Sequence, residues 1–415
     1  MKTNLKSMRW HIGVFGPTNA GKSSFINWLT QQPVAITDPT PGTTTDPVEK
    51  TMELLPLGPV VWYDTAGYND NTMLGEERVK KTREILQRID MAVLVLDGQT
   101  WGKQEKDWIH QFNKMKIPFL IVVNHSDYIP LNESIEKELN ENQYPFLTIS
   151  SIYSDDQDRT LIKNQLSKLL PDKIWVEKPL LQGIVHENDL VALVIPIDLS
   201  APKGRIILPQ QQVIREIIDQ KGLSMVIVPE KIPLLSHYCN RKPDLLITDS
   251  QAFEEVFRLT PPDIPVTSFS ILFAHQRGNF EQLLQGAFHL RKLKKGDKVL
   301  ILEACSHHPT SDDIGRVKLP LWLKEYTGEE IECEVYSGHA MPSKLESYQL
   351  VIQCGSCMLN QREVQNRINE ISNAGICVTN YGLAIAEMKS HLDRAIYPLG
   401  YSYTKDALSC AGRIP

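Results

Sequence analysis

Short apolar runs recur along the whole chain, and each stops abruptly at a polar or small residue. The first part carries Trp10–Phe15 (WHIGVF), Val60–Tyr63 (VVWY), Met91–Leu96 (MAVLVL) and Phe119–Val123 (FLIVV). The middle carries Leu190–Ile197 (LVALVIPI), Leu223–Val228 (LSMVIV) and Asp244–Thr248 (DLLIT). The last part carries Lys298–Leu302, Ile331–Tyr336, Leu350–Gln353 and Gly375–Thr379. Runs of this length, rich in Val and Ile and not alternating with polar residues, predict strands buried on both faces. Segments of helical period lie between them: Ser24 to about Leu29, Gln210–Gln220, Phe280–Leu293, and a helix from about Leu383. The alternation predicts an α/β protein with mainly parallel sheets. We expect a first domain over residues 1–172. A linker containing Pro171 and Pro179 follows it, then two further α/β domains over residues 173–265 and 266–415.

The first strand runs into Gly16-Pro17-Thr18-Asn19-Ala20-Gly21-Lys22-Ser23, and a helix follows. This is a P-loop in its strand–loop–helix setting. The backbone N–H groups of Gly16, Asn19, Ala20, Gly21, Lys22, Ser23 and Ser24 are expected around phosphate oxygens. Lys22 is expected at the β- and γ-phosphates and Ser23 on Mg²⁺. Pro41-Gly42-Thr43-Thr44-Thr45-Asp46 sits where a switch loop belongs, and Thr44 is the expected second Mg²⁺ oxygen, with Thr43 beside it. The Val60 run ends in Asp64-Thr65-Ala66-Gly67, which places Asp64 toward Mg²⁺ and Gly67 against the γ-phosphate. Asn124-His125-Ser126-Asp127 resembles the guanine-specifying Asn-Lys-x-Asp motif, with His125 in the lysine's place. Asp127 is expected to accept both guanine N–H groups, with Asn124, Ser150 and Ser151 completing the base site. Each motif falls at the carboxyl end of a strand, where an open α/β sheet binds ligands. These features predict a GTPase domain. Asn19 and the PGTTTD loop resemble the potassium-dependent GTPases of the tRNA-modification type, which implies K⁺ held by Asn19. Tyr68 stands where Ras-like proteins place a water-orienting glutamine.

Composition narrows the partners. The 415 residues carry a net charge of −6, with 23% charged and 42% hydrophobic residues, and there is no basic aromatic patch. A nucleic-acid surface is therefore not expected. No apolar run is long enough to span a membrane, and the opening residues show no secretory signal, so a cytoplasmic protein is expected.

The chain's chemistry beyond the nucleotide lies in its cysteines. All seven fall late: Cys239, Cys305, Cys333, Cys354, Cys357, Cys377 and Cys410. Cys333 and Cys377 lie inside predicted strands and read as buried small hydrophobes. Cys305-Ser306-His307 and Cys354-Gly355-Ser356-Cys357 follow strand ends. In a parallel sheet, Cys305, His307, His339, Cys354, Cys357 and Tyr381 share one edge. Cys357 is expected to open a helix, whose positive end favours thiolate. Zinc and an iron–sulfur cluster both suit this donor set.

Beyond single motifs, the chain resembles the HydF family, the GTPase and scaffold proteins of FeFe-hydrogenase maturation. The P-loop domain, the segments ALVIPIDLSAPKGRIILPQ and FSILFAHQRGNF, and the cysteine pattern carry the resemblance. Members show CxH and, further on, HCxxC. Cys305, His307, Cys354 and Cys357 match, whereas Gln353 replaces the usual histidine. The resemblance implies GTP/GDP with Mg²⁺, and a homodimer formed by the middle domain. It also implies a 4Fe–4S cluster on Cys305, Cys354 and Cys357, with His307 or His339 a candidate for the fourth iron. The implied cargo is a di-iron CO/cyanide precursor made with radical-SAM maturases and delivered to apo FeFe-hydrogenase. The competing expectation is a regulatory GTPase with a structural zinc domain that acts on RNA or ribosomes.

Overall fold

The structure, a computed structural model, describes residues 9–31, 48–65, 67, 82, 84–170, 179–197, 206–277, 279–304, 313–339, 341–342, 344–356 and 359–402. The chain divides into two compact units, Met1–Trp175 and Val176–Pro415.

The first unit is built on a six-stranded sheet in the order β2-β3-β1-β4-β5-β6. Its strands are β1 (Trp10–Phe15), β2 (Val48–Leu54), β3 (Gly58–Asp64), β4 (Met91–Leu96), β5 (Phe119–Val123) and β6 (Phe146–Thr148). All pairs are parallel except β2 with β3. The central strands are apolar throughout because both faces are covered. Ile12, Val14, Val93, Val95, Leu120 and Val122 pack on one face with Phe25, Ile26 and Leu29 of the helix Lys22–Thr30. The intervening Phe15, Leu94, Leu96, Ile121 and Val123 pack on the other with Trp108 and Phe112 of the helix Lys103–Lys114. The parallel order places the carboxyl ends of β1, β3, β5 and β6 on one edge.

The second unit holds two four-stranded parallel sheets, in the orders β10-β9-β7-β8 and β12-β11-β13-β14. The first comprises β7 (Leu190–Val194), β8 (Leu223–Ile227), β9 (Leu245–Thr248) and β10 (Val266–Ser268). The second comprises β11 (Lys298–Glu303), β12 (Glu332–Ser337), β13 (Leu350–Gln353) and β14 (Cys377–Asn380). One apolar core takes residues from both, including Ala192, Val194 and Leu246 from the first and Val299, Ile301 and Ile352 from the second. The two sheets therefore form one unit with a shared core, and β10 falls past the boundary drawn after residue 265.

One helix start differs from expectation. The last long helix begins at Tyr381, where the Asn380 side chain caps Leu383 N–H, two residues earlier than expected. The helix after the second cysteine pair is Gln361–Asn373, capped by Asn360 on Glu363 N–H. The expectation that Cys357 opens a helix lies outside the described residues. Ahead of this helix Leu359 N–H donates to Ser356 O at 3.0 Å.

The helix Phe280–His289 lies so close to β14 that a Cβ on Gly286 would stand 2.0 Å from the Val378 carbonyl oxygen. Gly286→Ala should destabilise the second unit by about 2–3 kcal/mol. Urea unfolding followed by tryptophan fluorescence and circular dichroism checks this, and an unchanged midpoint would contradict the close packing.

Candidate functional site

At the end of β1 the chain turns through Gly16, Asn19 and Gly21, all at positive φ (+153°, +66° and +84°). A Cβ on Gly16 would meet Val95 O at 2.2 Å, and one on Gly21 would meet Asn124 Nδ2 at 2.3 Å. Glycine is required by space as well as by φ. The loop closes on its own lysine: Lys22 Nζ donates to the carbonyls of Gly16 (3.1 Å) and Pro17 (2.8 Å). Burial pulls the Lys22 ammonium down to about 8, against the nearby Asp64 carboxylate, which raises it.

Ser23 Oγ donates to Asp64 Oδ2 at 2.5 Å. Asp64 Oδ1 is buried with no hydrogen-bond partner, and burial raises the acid's pKa despite the opposing bond from Ser23. A hydroxyl and a buried carboxylate with an orphaned oxygen form a hard oxygen donor set that fits Mg²⁺. Ser24 lies in the first turn of the same helix. Thr65 Oγ1 donates to Val14 O at 2.7 Å and extends the pairing of β1 with β3 to the loop. Gly67 then rests on the P-loop, since a Cβ there would lie 2.3 Å from Thr18 Oγ1. Thr43, Thr44 and Tyr68 lie outside the described residues.

Asn124, fully buried, joins three loops. Its Nδ2 donates to Ala20 O at 3.2 Å, and its Oδ1 accepts from Ser151 N–H (3.0 Å) and Ser151 Oγ (2.9 Å). Ser150 Oγ accepts from the N–H groups of Ile152 and Tyr153, which shapes the same loop. His125 adopts φ +64° and lays its ring on the P-loop, with Nε2 at 3.3 Å from Asn19 O. It thus packs against the P-loop, from the lysine's place in the motif. Asp127 stays exposed.

In the second unit, β11 pairs with β12 on one side (Glu303↔Ser337) and with β13 on the other (Leu302↔Gln353). The Cys354 thiol, at the end of β13, accepts from Ala304 N–H at 3.0 Å and Ser356 N–H at 3.4 Å. Burial raises its pKa, opposed by those two bonds and by Arg367. Backbone donors aimed at a buried sulfur suit a metal-bound thiolate, which gives up its proton on binding. Among the described residues no three His, Cys, Asp or Glu side chains are grouped to hold a metal ion. Cys305, His307 and Cys357 lie outside those residues.

His339 follows β12, with Nδ1 at 2.6 Å from Glu363 Oε1. Glu363 and Arg367 were not expected from sequence, because their i, i+4 spacing looks like an ordinary surface pair. Cys333 and Cys377 lie in β12 and β14 as expected, and burial pushes the Cys333 thiol up to about 11. No helix among the described residues is long and apolar enough to cross a membrane.

Three family models match the chain. Residues 11–125 match a model described as a 50S ribosome-binding GTPase. Residues 180–278 match the hydrogen maturase F dimerization domain, and residues 281–398 its tetramerization domain. The two maturase models together cover more than half of the chain. The mitochondrial 5-taurinomethyluridine-tRNA synthase subunit GTPB3 of Danio rerio is 30% identical over 198 residues, 43% of this chain and 39% of that protein. The GTPase Era of Halothermothrix orenii is 30% identical over 166 residues, 39% of this chain and 55% of that protein. The tRNA modification GTPase MnmE of Prochlorococcus marinus is 35% identical over 127 residues, 30% of this chain and 27% of that protein. The chain thus spans no more than about half the length of these relatives. Among solved structures, Era with MgGDPNP and a 16S ribosomal RNA segment aligns at TM-score 0.34 and 18% identity, over 54% of this chain and 95% of that one. A probable GTP-binding protein engB aligns at 0.31 and 24%, over 39% and 98%.

The lowered Lys22 pKa predicts a pH dependence. Below about 8 the free lysine is charged and ready for phosphate. Above it the lysine must take up a proton on binding, so the Kd for GTP should rise by about tenfold per further pH unit. Titrations with a fluorescent GTP analogue between pH 7 and 9.5 test this. A step that persists unchanged in Lys22→Met would assign it to another group.

Proposed function

The chain belongs to the hydrogen maturase F family, and from that premise we propose that this hydrogenase maturation GTPase is also a cluster-bearing carrier. In this reading Cys305, Cys354 and Cys357 hold three irons of a 4Fe–4S cluster. When bound, the cluster offers a fourth iron as an attachment point for a di-iron CO/cyanide cargo. Radical-SAM maturases supply the cargo and apo FeFe-hydrogenase receives it. The observation that carries this reading is the Cys354 sulfur, which takes an N–H from Ala304, the residue directly ahead of Cys305. That bond ties the two cysteine segments together at adjoining strand ends. Gln353 is not needed as a ligand, because an amide oxygen is a poor donor to iron in a sulfur cluster.

In the first unit, Lys22 neutralises phosphate charge, Ser23 and Asp64 hold Mg²⁺, and Asp127 selects guanine. Thr44 completes the Mg²⁺ shell, and Asn19 holds K⁺ against the phosphates. With Tyr68 in the glutamine position, hydrolysis relies on K⁺ for charge stabilisation. The functional division gives residues 1–172 to the nucleotide, the sheet β7–β10, expected over 173–265 and extended by β10 to Ser268, to dimerisation, and the rest of the chain to the cluster. Dimerisation is supported by β8, the edge strand of its sheet, whose Leu223 and Val226 are 55% and 50% exposed beside Ile218 at 55%. An edge strand with exposed apolar side chains suits burial against a second copy.

Two experiments test the reading. Anaerobic reconstitution should give brown protein with four irons and four sulfides per chain, and Cys354→Ser should lose most of both. A colourless preparation that binds zinc instead would replace the cluster with a structural metal. GTP should be hydrolysed in preference to ATP and faster in K⁺ than in Na⁺. Lys22→Ala should abolish turnover and leave iron content unchanged. Equal rates in the two salts would remove the role given to Asn19.

A further inference from the structure

The helix that begins at Lys22 carries Trp28 on its last turns, with the indole only 8% exposed. From Lys22 to Trp28 the helix rises about 9 Å. The indole is held on its faces. The Phe25 ring lies 6.3 Å away between centroids, and the Arg159 guanidinium stands over the indole at 5.5 Å from its centroid. The indole N–H donates to the Ser154 carbonyl at 2.9 Å.

Ser154 closes the loop that follows β6. Ser150 N–H donates to Ser154 Oγ at 3.0 Å, and Ser154 N–H donates back to Ser150 O at 2.9 Å. At the tip of this loop Ile152 and Tyr153 are 70% and 76% exposed, so side-chain packing does not hold the tip. Hydrogen bonds hold the loop from either side. Ser151 N–H and Oγ meet Asn124 Oδ1 on one side, and Ser154 O meets Trp28 on the other. The same helix ties the next segment as well, because Gln31 Nε2 donates to Asp156 Oδ1 at 3.2 Å and Asp156 pairs with Arg159. A buried indole needs an acceptor for its N–H, and any core carbonyl would serve. Here the acceptor is the residue that closes the base loop.

We propose that Trp28 is a positioning residue for guanine. It fixes the Ser150–Ser154 loop to the P-loop helix, and so sets the separation between phosphate recognition and base recognition. This rests on the guanine reading above. Guanine presents a carbonyl oxygen where adenine presents an amino group. Donors on the loop, such as Ser151 Oγ, favour guanine while they are held at the base edge. Hydrogen bonds weaken steeply with distance and angle, so a loop released from Trp28 loses that preference. Phosphate is held by Gly16–Ser23 and does not depend on the loop.

The test uses the full-length protein with Mg²⁺ and K⁺. Trp28→Phe keeps an aromatic ring and removes the N–H. Its Kd for GDP and KM for GTP should rise about three- to tenfold, the effect of one hydrogen bond. KM for ATP and the Kd for tripolyphosphate should stay at wild-type values, and kcat at saturating GTP should change by less than about twofold. A merely structural role would lower the thermal midpoint and leave the GTP-to-ATP preference where it was. Arg159→Met keeps the indole N–H but uncovers the ring, and should show the same kind of loss at about two- to threefold. Unchanged guanine affinity in Trp28→Phe overturns the proposal, and so does a loss shared equally by tripolyphosphate. Should circular dichroism show Trp28→Phe unfolded, Arg159→Met decides. A loss confined to guanine nucleotides supports the proposal, and wild-type values throughout overturn it. A wild-type protein that uses ATP as readily as GTP overturns the guanine reading itself, and this proposal with it.

Discussion

Parallel pairing of buried strands is the constraint on which both candidate sites depend. A parallel strand delivers its carboxyl end to the same edge as its neighbours, so loops far apart in sequence converge there. In the first unit this brings together Gly16–Ser23 after β1, Asp64 after β3, Asn124 after β5 and Ser151 after β6. In the second it brings together Ala304 after β11, His339 after β12 and Cys354 after β13. The apolar runs hold this geometry. Slipping β1 by one residue would exchange Val14 and Phe15 between faces and disrupt both cores. Since the cores fix register, they also fix where each polar loop emerges.

Each site then places an ionisable group where burial opposes its charge. Lys22 is pulled down, and Asp64 and Cys354 are pushed up. All three shifts have desolvation as their largest cause, and all three are opposed by a nearby donor or charge. Such groups gain most from a ligand of opposite charge, because the ligand replaces lost hydration in a place where Coulomb attraction is weakly screened. Ser23 and Asp64 hydrogen-bond each other, and Lys22 bonds its own loop. The fold is thus complete without a ligand, yet these bonds are easily exchanged for phosphate and Mg²⁺.

The strands and the P-loop were legible because they rest on local rules: apolar runs of strand length, and glycines at a turn with positive φ. Gly16 and Gly21 are examples, as is Asn124 at the end of a buried run. What the sequence did not reveal was set by distant contacts. The helix Gln361–Asn373 starts where the Asn360 side chain caps Glu363 N–H. The helix Tyr381–Met388 begins early for the same reason, through Asn380. The shared core of the second unit was hidden because composition does not say which sheet an apolar side chain faces. Glu363 and Arg367 look like a solvated i, i+4 pair, and only the turn at Gly338 turns them into a buried network.

The departure at Gln353 follows from the same strand geometry. Successive side chains of a strand point to opposite faces, so residues 353 and 354 are not equivalent places for a ligand. Gln353 is 4% exposed, and its Oε1 is buried without a partner among the described residues. Cys354 instead meets the N–H groups of Ala304 and Ser356. Gln353 and Cys354 both line the small pocket behind the loop, together with Arg277 and Asn380. Arg277 in turn donates to Ser356 O at 3.1 Å and props the loop from beneath. The loop's position is thus set by the arginine and by the paired strands.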